Sequence, residues 1–177
     1  MLTSRTRPLL TSVLAGTSAL VLGSGAAFAL TASAPQKITP SGVGAVKLGK
    51  TFAQLRAAHL IGPLGPGCEF AGQSARSASL RAPLKGSVDF TQMTTGRRVA
   101  AITVRGGAKA RGVGIGASTA KVKQAFPKAV VDHSTDATFA ITLVKVPKSG
   151  GGRLQFAVDT TTHKVTLIGI PNILFCE

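Results

Sequence analysis

Val46-x-Leu48-Gly49-x-Thr51-x-x-Gln54-Leu55-Arg56 recurs 67 positions later as Val113-x-Ile115-Gly116-x-Ser118-x-x-Lys121-Val122-Lys123. A second block repeats at a step of 66, where Gly86, Phe90, Thr94, Thr95, Arg98, Val99, Ile102 and Val104 are answered by Gly152, Phe156, Thr160, Thr161, Lys164, Val165, Ile168 and Ile170. One single-residue gap reconciles the two steps. Self-similarity at a fixed period marks a chain built from copies of one supersecondary unit. Two such units are expected here, over 43–109 and 110–177, sharing one domain.

Each unit opens on a helix signal. Thr51 three residues before Gln54 is a capping box, in which hydroxyl and amide side chain each satisfy a backbone N–H of the first turn. Phe52, Leu55 and Ala58 form a narrow apolar stripe, and Gly62-Pro63 stops the helix. In the second unit Ser118 caps, Val122, Ala125 and Phe126 make the stripe, and Pro127 ends it. Helices this short depend on packing rather than on propensity. Strand candidates follow: Phe139, Ile141 and Leu143; then Leu154, Phe156 and Val158; then Val165, Leu167, Ile168 and Ile170. Segments 148–152 and 159–163 are short enough for antiparallel hairpins. The first unit copies this over 78–84, 87–92 and 97–104, joined by Lys85-Gly86 and 93–96. The expected fold class is α+β: a tandem duplication of a helix-strand-strand-strand unit, with two short helices on one face of an antiparallel sheet. The other face is left to solvent or a partner.

The N-terminus reads as a targeting segment. Arg5 and Arg7 precede an uncharged stretch from residue 8 to 36, and Ala27-Phe28-Ala29 and Ala32-Ser33-Ala34 are small-residue cleavage patterns. Pro35 obstructs the second, so residues 1–29 are expected to be a signal peptide, with cleavage after Ala34 or retention as an anchor as alternatives. The apolar part, 9–22, is shorter than the ~20 residues a bilayer span needs. Residues 30–42, with Pro35 and Pro40, suit a flexible leader. The expected location is secreted or cell-envelope associated. Without 1–29 the chain keeps nineteen basic residues against six acidic ones, a net charge of +13. That imbalance favours encounter with polyanions or acidic surfaces.

Cys68 and Cys176 are the only cysteines, and an even number in an exported chain pairs by default, two free thiols being the alternative. A bond between them would close a loop of about 108 residues, worth roughly 4 to 5 kcal/mol in the chain-entropy model.

The order of elements, with Leu48-Gly49-x-Thr51-x-x-Gln54-Leu55 and its copy Ile115-Gly116-x-Ser118-x-x-Lys121-Val122, resembles the secreted β-lactamase inhibitor protein and the small outer-membrane lipoproteins that assist barrel assembly. The resemblance covers most of 43–177 and implies tandem helix-plus-meander repeats. In the inhibitor each repeat holds its own disulfide, and Cys68 in Gly67-Cys68-Glu69 looks similar to the first cysteine of such a pair. No second cysteine stands on the next strand here, which directs Cys68 to Cys176. The inhibitor uses an aromatic-rich concave sheet and an acidic hairpin. The matching hairpin in this chain, Arg81-Ala82-Pro83-Leu84-Lys85-Gly86, is basic, and the chain has no Tyr or Trp. Of the residue types enriched at interface hot spots, Arg alone is available.

No catalytic set stands out. Asp132-His133-Ser134-Thr135-Asp136 holds the residue types of a nucleophilic triad, but a triad needs groups converging from separate positions, and the spacing matches no zinc signature. His59 and His163 lack evident partners. Gly112-Val113-Gly114-Ile115-Gly116 precedes a helix, yet its counterpart 45–49 keeps only the last glycine, so the run reads as a turn and not a nucleotide loop. Single-strand binders stack bases on aromatics, whereas the eight Phe residues fall mainly at core-periodic positions, which disfavours nucleic acid. The expectation is a non-enzymatic binding module without cofactor or metal. Its basic surface, drawn from Arg81, Arg97, Arg98, Arg105, Arg111 and Arg153, would engage an anionic envelope polymer or an acidic protein. A protein inhibitor or envelope assembly factor using the open sheet face is the alternative.

Overall fold

The computed structural model describes residues 35–69, 72–92, 96–149 and 152–175. The chain runs β1 (Gln36–Thr39), β2 (Gly42–Val43), β3 (Val46–Lys47), α1 (Phe52–Ala57), β4 (Gly65–Pro66), β5 (Arg76–Ser79), β6 (Lys85–Phe90), β7 (Val99–Gly106), β8 (Ala108–Lys109), α2 (Thr119–Ala125), β9 (Val130–Asp132), α3 (Asp136–Phe139), β10 (Ile141–Ser149), β11 (Gly152–Asp159) and β12 (Val165–Ile170). It is a mixed α+β fold with two mostly antiparallel sheets and a few short helices. The large sheet has the order β4-β5-β6-β7-β12-β11-β10-β9 and the small one β3-β2-β1-β8.

The expected leader, 30–42, is corrected from residue 36 onward. Strand β1 pairs in parallel with β8, Gln36 with Ala108 and Lys37 with Lys109, and antiparallel with β2. Ile38 anchors it at 3% exposure, while Pro35 and Pro40 lie just outside the strand, where a missing N–H costs no ladder bond. The expected signal peptide, 1–29, and residues 30–34 of the expected leader lie outside the described residues.

The main core sits between the large sheet and a layer made of the two longer helices and the small sheet. Leu55, Val122 and Phe126 contribute from the helical segments, and Ile38, Val43, Val46 and Val113 from the small sheet and its neighbourhood. They meet Val88, Phe90, Ile102, Val104, Phe156 and Ile168 of the large sheet. The α1 capping box forms as the sequence indicates: Gln54 N–H donates to Thr51 Oγ1 at 3.2 Å and Thr51 N–H to Gln54 Oε1 at 3.0 Å. In α2 only half of it forms, with Lys121 N–H donating to Ser118 Oγ at 3.3 Å, because an ammonium at that position has no acceptor to return.

Four local expectations change. Ala58 does not join the α1 stripe; it is exposed at the helix C-cap, and His59 at φ 55° turns the chain before Gly62-Pro63 is reached. Phe139 ends α3 instead of starting a strand, since Ala140 at φ 53° reverses the backbone and β10 begins at Ile141. Lys85-Gly86 belongs to β6, and the connecting turn lies earlier, closed by Leu84 N–H to the Arg81 carbonyl at 3.1 Å. The join at 93–95 lies outside the described residues. Finally, the sheet face away from the helices is not left free in the C-terminal half. Ile173 of the tail packs there on Leu143 and Ala157, with Phe175 beside them.

Candidate functional site

Strand register decides which of the six expected arginines meet. Ser79 pairs with Ser87, which pairs with Thr103, so Arg81 after β5 and Arg105 near the end of β7 lie at one end of the sheet. Arg97 and Arg98 precede β7, roughly 23 Å from Arg105 at the usual strand rise. Gln155 pairs with Gly169, which pairs with Thr103, so Arg153 is level with Ala101, toward the Arg97 end. Arg111 is elsewhere, its guanidinium 5.2 Å from the centre of the Phe126 ring and donating to the Ala125 carbonyl at 3.4 Å. Two others also serve the fold: Arg97 Nη1 donates to the Ser74 carbonyl at 3.3 Å and Arg98 Nη1 to the Gly49 carbonyl at 3.0 Å. The six arginines therefore do not converge on one point.

Asp132, His133, Asp136, Thr142 and Lys145 form a surface network on β9, α3 and β10. The Lys145 ammonium donates to Asp132 Oδ2, Ser134 N–H donates to Asp132 Oδ1 at 2.9 Å, His133 Nδ1 lies 2.7 Å from Asp136 Oδ2, and Thr142 Oγ1 donates to Asp136 Oδ1 at 2.9 Å. The bond from Lys145, then those from Ser134, holds the Asp132 carboxyl well below the usual carboxylate range; the contact with His133 does the same for Asp136. Every carboxylate oxygen named here already has a partner. Among the described residues no group of three or more His, Cys, Asp or Glu side chains is arranged to hold a metal ion. The network ties the short strand β9 and the turn of α3 to β10.

Cys68 is buried, and its sulfur lies 3.6 Å from the Phe175 carbonyl oxygen. Cys176, the next residue, lies outside the described residues, and so does the expected bond. Phe175 also stacks on Phe139, with centroids 4.5 Å apart. The tail thus touches the loop after β4 and the turn before β10.

The distribution of acids is the feature that single residues did not reveal. Segment 35–68 contains four basic residues, segment 96–131 contains eight, and neither contains an Asp or Glu. Folding brings these two segments together: they supply the small sheet, α1 and α2, and also β4 and β7 of the large sheet. Three of the six acids, Asp132, Asp136 and Asp159, sit around β9–β11, engaged in local hydrogen bonds. No known protein family, curated protein or solved structure matches the chain. The site is read from its own chemistry.

Lys37 falls within the leader expected over 30–42, which hides its place in the fold. In register with Lys109 on a parallel strand, it stands as one of two exposed cations side by side. The signal was available in the apolar Ile38 between two prolines, a four-residue strand candidate.

Proposed function

We propose that this chain is an exported, non-catalytic binding module, built by tandem duplication, that engages an anionic envelope polymer or an acidic protein through its basic layer. The observation that carries the reading is the one-signed charge of segments 35–68 and 96–131, twelve cations without an acid, nine of them on the small sheet, α1, α2 and their loops and three, Arg97, Arg98 and Arg105, on or beside β7. Three of the six acids, Asp132, Asp136 and Asp159, are engaged around β9–β11, and a one-signed field of this kind favours anionic partners.

Several matched local geometries support the duplication. Val43 pairs with Val46 and Ala110 with Val113, a step of 67. Gly44 and Arg111, one residue into each of these turns, have φ of 51° and 47°; Gly49 and Gly116 have 78° and 82°. Gly49 N–H donates to the Val99 carbonyl at 2.9 Å and Gly116 N–H to the Val165 carbonyl at 2.8 Å. By ladder partners β7 and β12 correspond at a step of 66, whereas β6 and β11 correspond at 68, since Ser87 faces Thr103 as Gln155 faces Gly169. The alignment of Phe90 with Phe156 is thereby replaced by Phe90 with Val158.

A bond between Cys68 and Cys176 belongs to this reading, supported by the position of Phe175 next to Cys68. An inhibitor or assembly factor in the style of the resembling families would use the opposite sheet face. The tail covers Leu143 and Ala157 on that face, which favours the basic layer.

The test is retention of the processed protein on immobilised anionic wall polymer at low and high salt. Screening shortens the reach of surface charges from about 30 Å at 0.01 M to about 8 Å at 0.15 M, so retention should fall steeply. Retention that does not change with salt sinks the electrostatic reading.

A further inference from the structure

The small sheet has one face in the core and one outside. Val46, Val43 and Ile38 form the buried row, so Lys47 and Lys37, adjacent to them in sequence, project from the outer face. Lys37 and Lys109 are partners on parallel strands, about 4.8 Å apart at the backbone. Like charges side by side on a sheet oppose folding, and no acid on this layer offsets them.

The lysine stems have built seats. A Cβ on Gly42 would come within 2.9 Å of Lys47 Cδ, and one on Gly114 within 3.1 Å of Lys109 Cγ. At the β7–β8 corner, a Cβ on Gly106 would lie 3.5 Å from Lys85 Cδ. The stems of Lys47 and Lys109 therefore lie over glycines where a side chain would press on them, and that of Lys85 lies in ordinary contact over Gly106, while each ammonium stays in water. Fixing the stems in this way removes part of the side-chain entropy that a lysine otherwise loses on binding.

We propose that this outer face, Lys37, Lys47 and Lys109 with Lys85 at its corner, is the binding site, and that its ligand is a linear polymer carrying closely repeated anionic groups. This rests on the binding reading above and chooses between its two partner classes. Protein interfaces are depleted in Lys and centre on buried aromatic or Arg anchors. This face presents lysines, and the large apolar side chains exposed among the described residues are Ile115 and Val130, neither of them on the small sheet. Lysine ammoniums act as mobile point charges that read charge density more than the planar shape of one group.

The experiment measures affinity of the processed protein for inorganic polyphosphate and for poly-L-glutamate between 50 and 200 mM salt, for the wild type and for Lys37→Gln/Lys47→Gln/Lys109→Gln. Loss of three contacts should lower the slope of log affinity against log salt by about 2 to 3. It should weaken binding at least about tenfold at low salt. The polymer bound more tightly by the wild type identifies the anion type. A Lys37→Arg/Lys109→Arg variant keeps the charge and should keep the binding, which separates a binding defect from a folding one. Binding that survives the triple substitution but is lost in Arg97→Gln/Arg98→Gln overturns this site and leaves the general reading standing. No affinity for either polymer overturns both.

Discussion

Thr103 and Gly169 are direct partners in the central β7–β12 pair, and they stand 66 residues apart in the chain. Their flanking pairs, Ile102 with Ile170 and Val104 with Ile168, exchange with each other under the same shift. Such a register is its own image, with a local two-fold axis passing between Thr103 and Gly169, as in the self-complementary contact of two identical subunits. The two residues also mark where the halves differ. Thr103 keeps a buried side chain, whereas at Gly169 the tail folds back so closely that a Cβ would lie 2.5 Å from the Asn172 carbonyl oxygen and 2.6 Å from Ile173 Cγ1.

Gly169→Ala should therefore unseat the tail. Backbone and a buried side chain would both have to move, a cost of about 2 to 3 kcal/mol by analogy with overpacked cores. Urea denaturation gives the loss, and amide exchange should rise at Asn172 and Ile173. Exchange there identical to wild type would show that Gly169 is not what permits the closure.

The tail has one buried polar latch. Ile173 N–H donates to Gln155 Oε1 at 3.0 Å, and Gln155 is 6% exposed. Gln155→Leu leaves that amide without its partner, worth about 1 to 3 kcal/mol. Ile173→Ala empties the contact with Leu143 and Ala157 at a cost of about 2 to 4 kcal/mol. Both act through one seat, so the double variant should lose less than the sum of the two. Additive losses would mean that latch and contact are independent.

Arg111 occupies a left-handed conformation, φ 47°, where Gly44 stands in the other half. Arg111→Ala removes the contact with Phe126 and the hydrogen bond to the end of α2 but keeps the strained backbone; Arg111→Gly removes the same contacts and relieves the strain. The glycine variant should be the more stable of the two by about 1 kcal/mol. Equal midpoints in thermal denaturation would show that residue 111 bears no backbone cost.

What could be read in the sequence was local and periodic. Thr51, Gln54 and Ser118 act on neighbours three residues away, so their motif contains nearly all the physics of the cap. Leu154, Phe156 and Val158 alternate against one layer and are buried as the alternation implies, but Gln155 and Ala157 between them are buried as well, where the alternation implies a strand only half-buried. Lys37 and Lys109 lie far apart in the chain, and their pairing depends on a parallel crossover that no local pattern encodes. The tail was equally hidden: Ile173 follows Pro171 outside any strand pattern, and its seat exists only once β10 and β11 are paired.

Acid titration should separate two kinds of carboxylate. Asp132, Asp136 and Asp159 are held below the usual range by hydrogen bonds, from Lys145, His133 and the Thr162 backbone respectively. Their folded form binds protons less readily than the unfolded chain. They add stability above the unfolded value of about 3.9 and lose it as pH falls through their folded values. Asp89 behaves in the opposite way, because burial on β6 pushes its carboxyl up. Its contribution is favourable below about pH 3.9 and is lost as pH rises through the raised folded value, so the ionised group is a net cost at neutral pH. Asp89→Asn should accordingly raise the urea midpoint at pH 7, with the gain gone by pH 3. Asp132→Asn should lower the midpoint at pH 7, weakly and less so in high salt because the pair with Lys145 is solvent-screened. If the two variants shift the pH 7 midpoint in the same direction, burial is not what sets Asp89 apart.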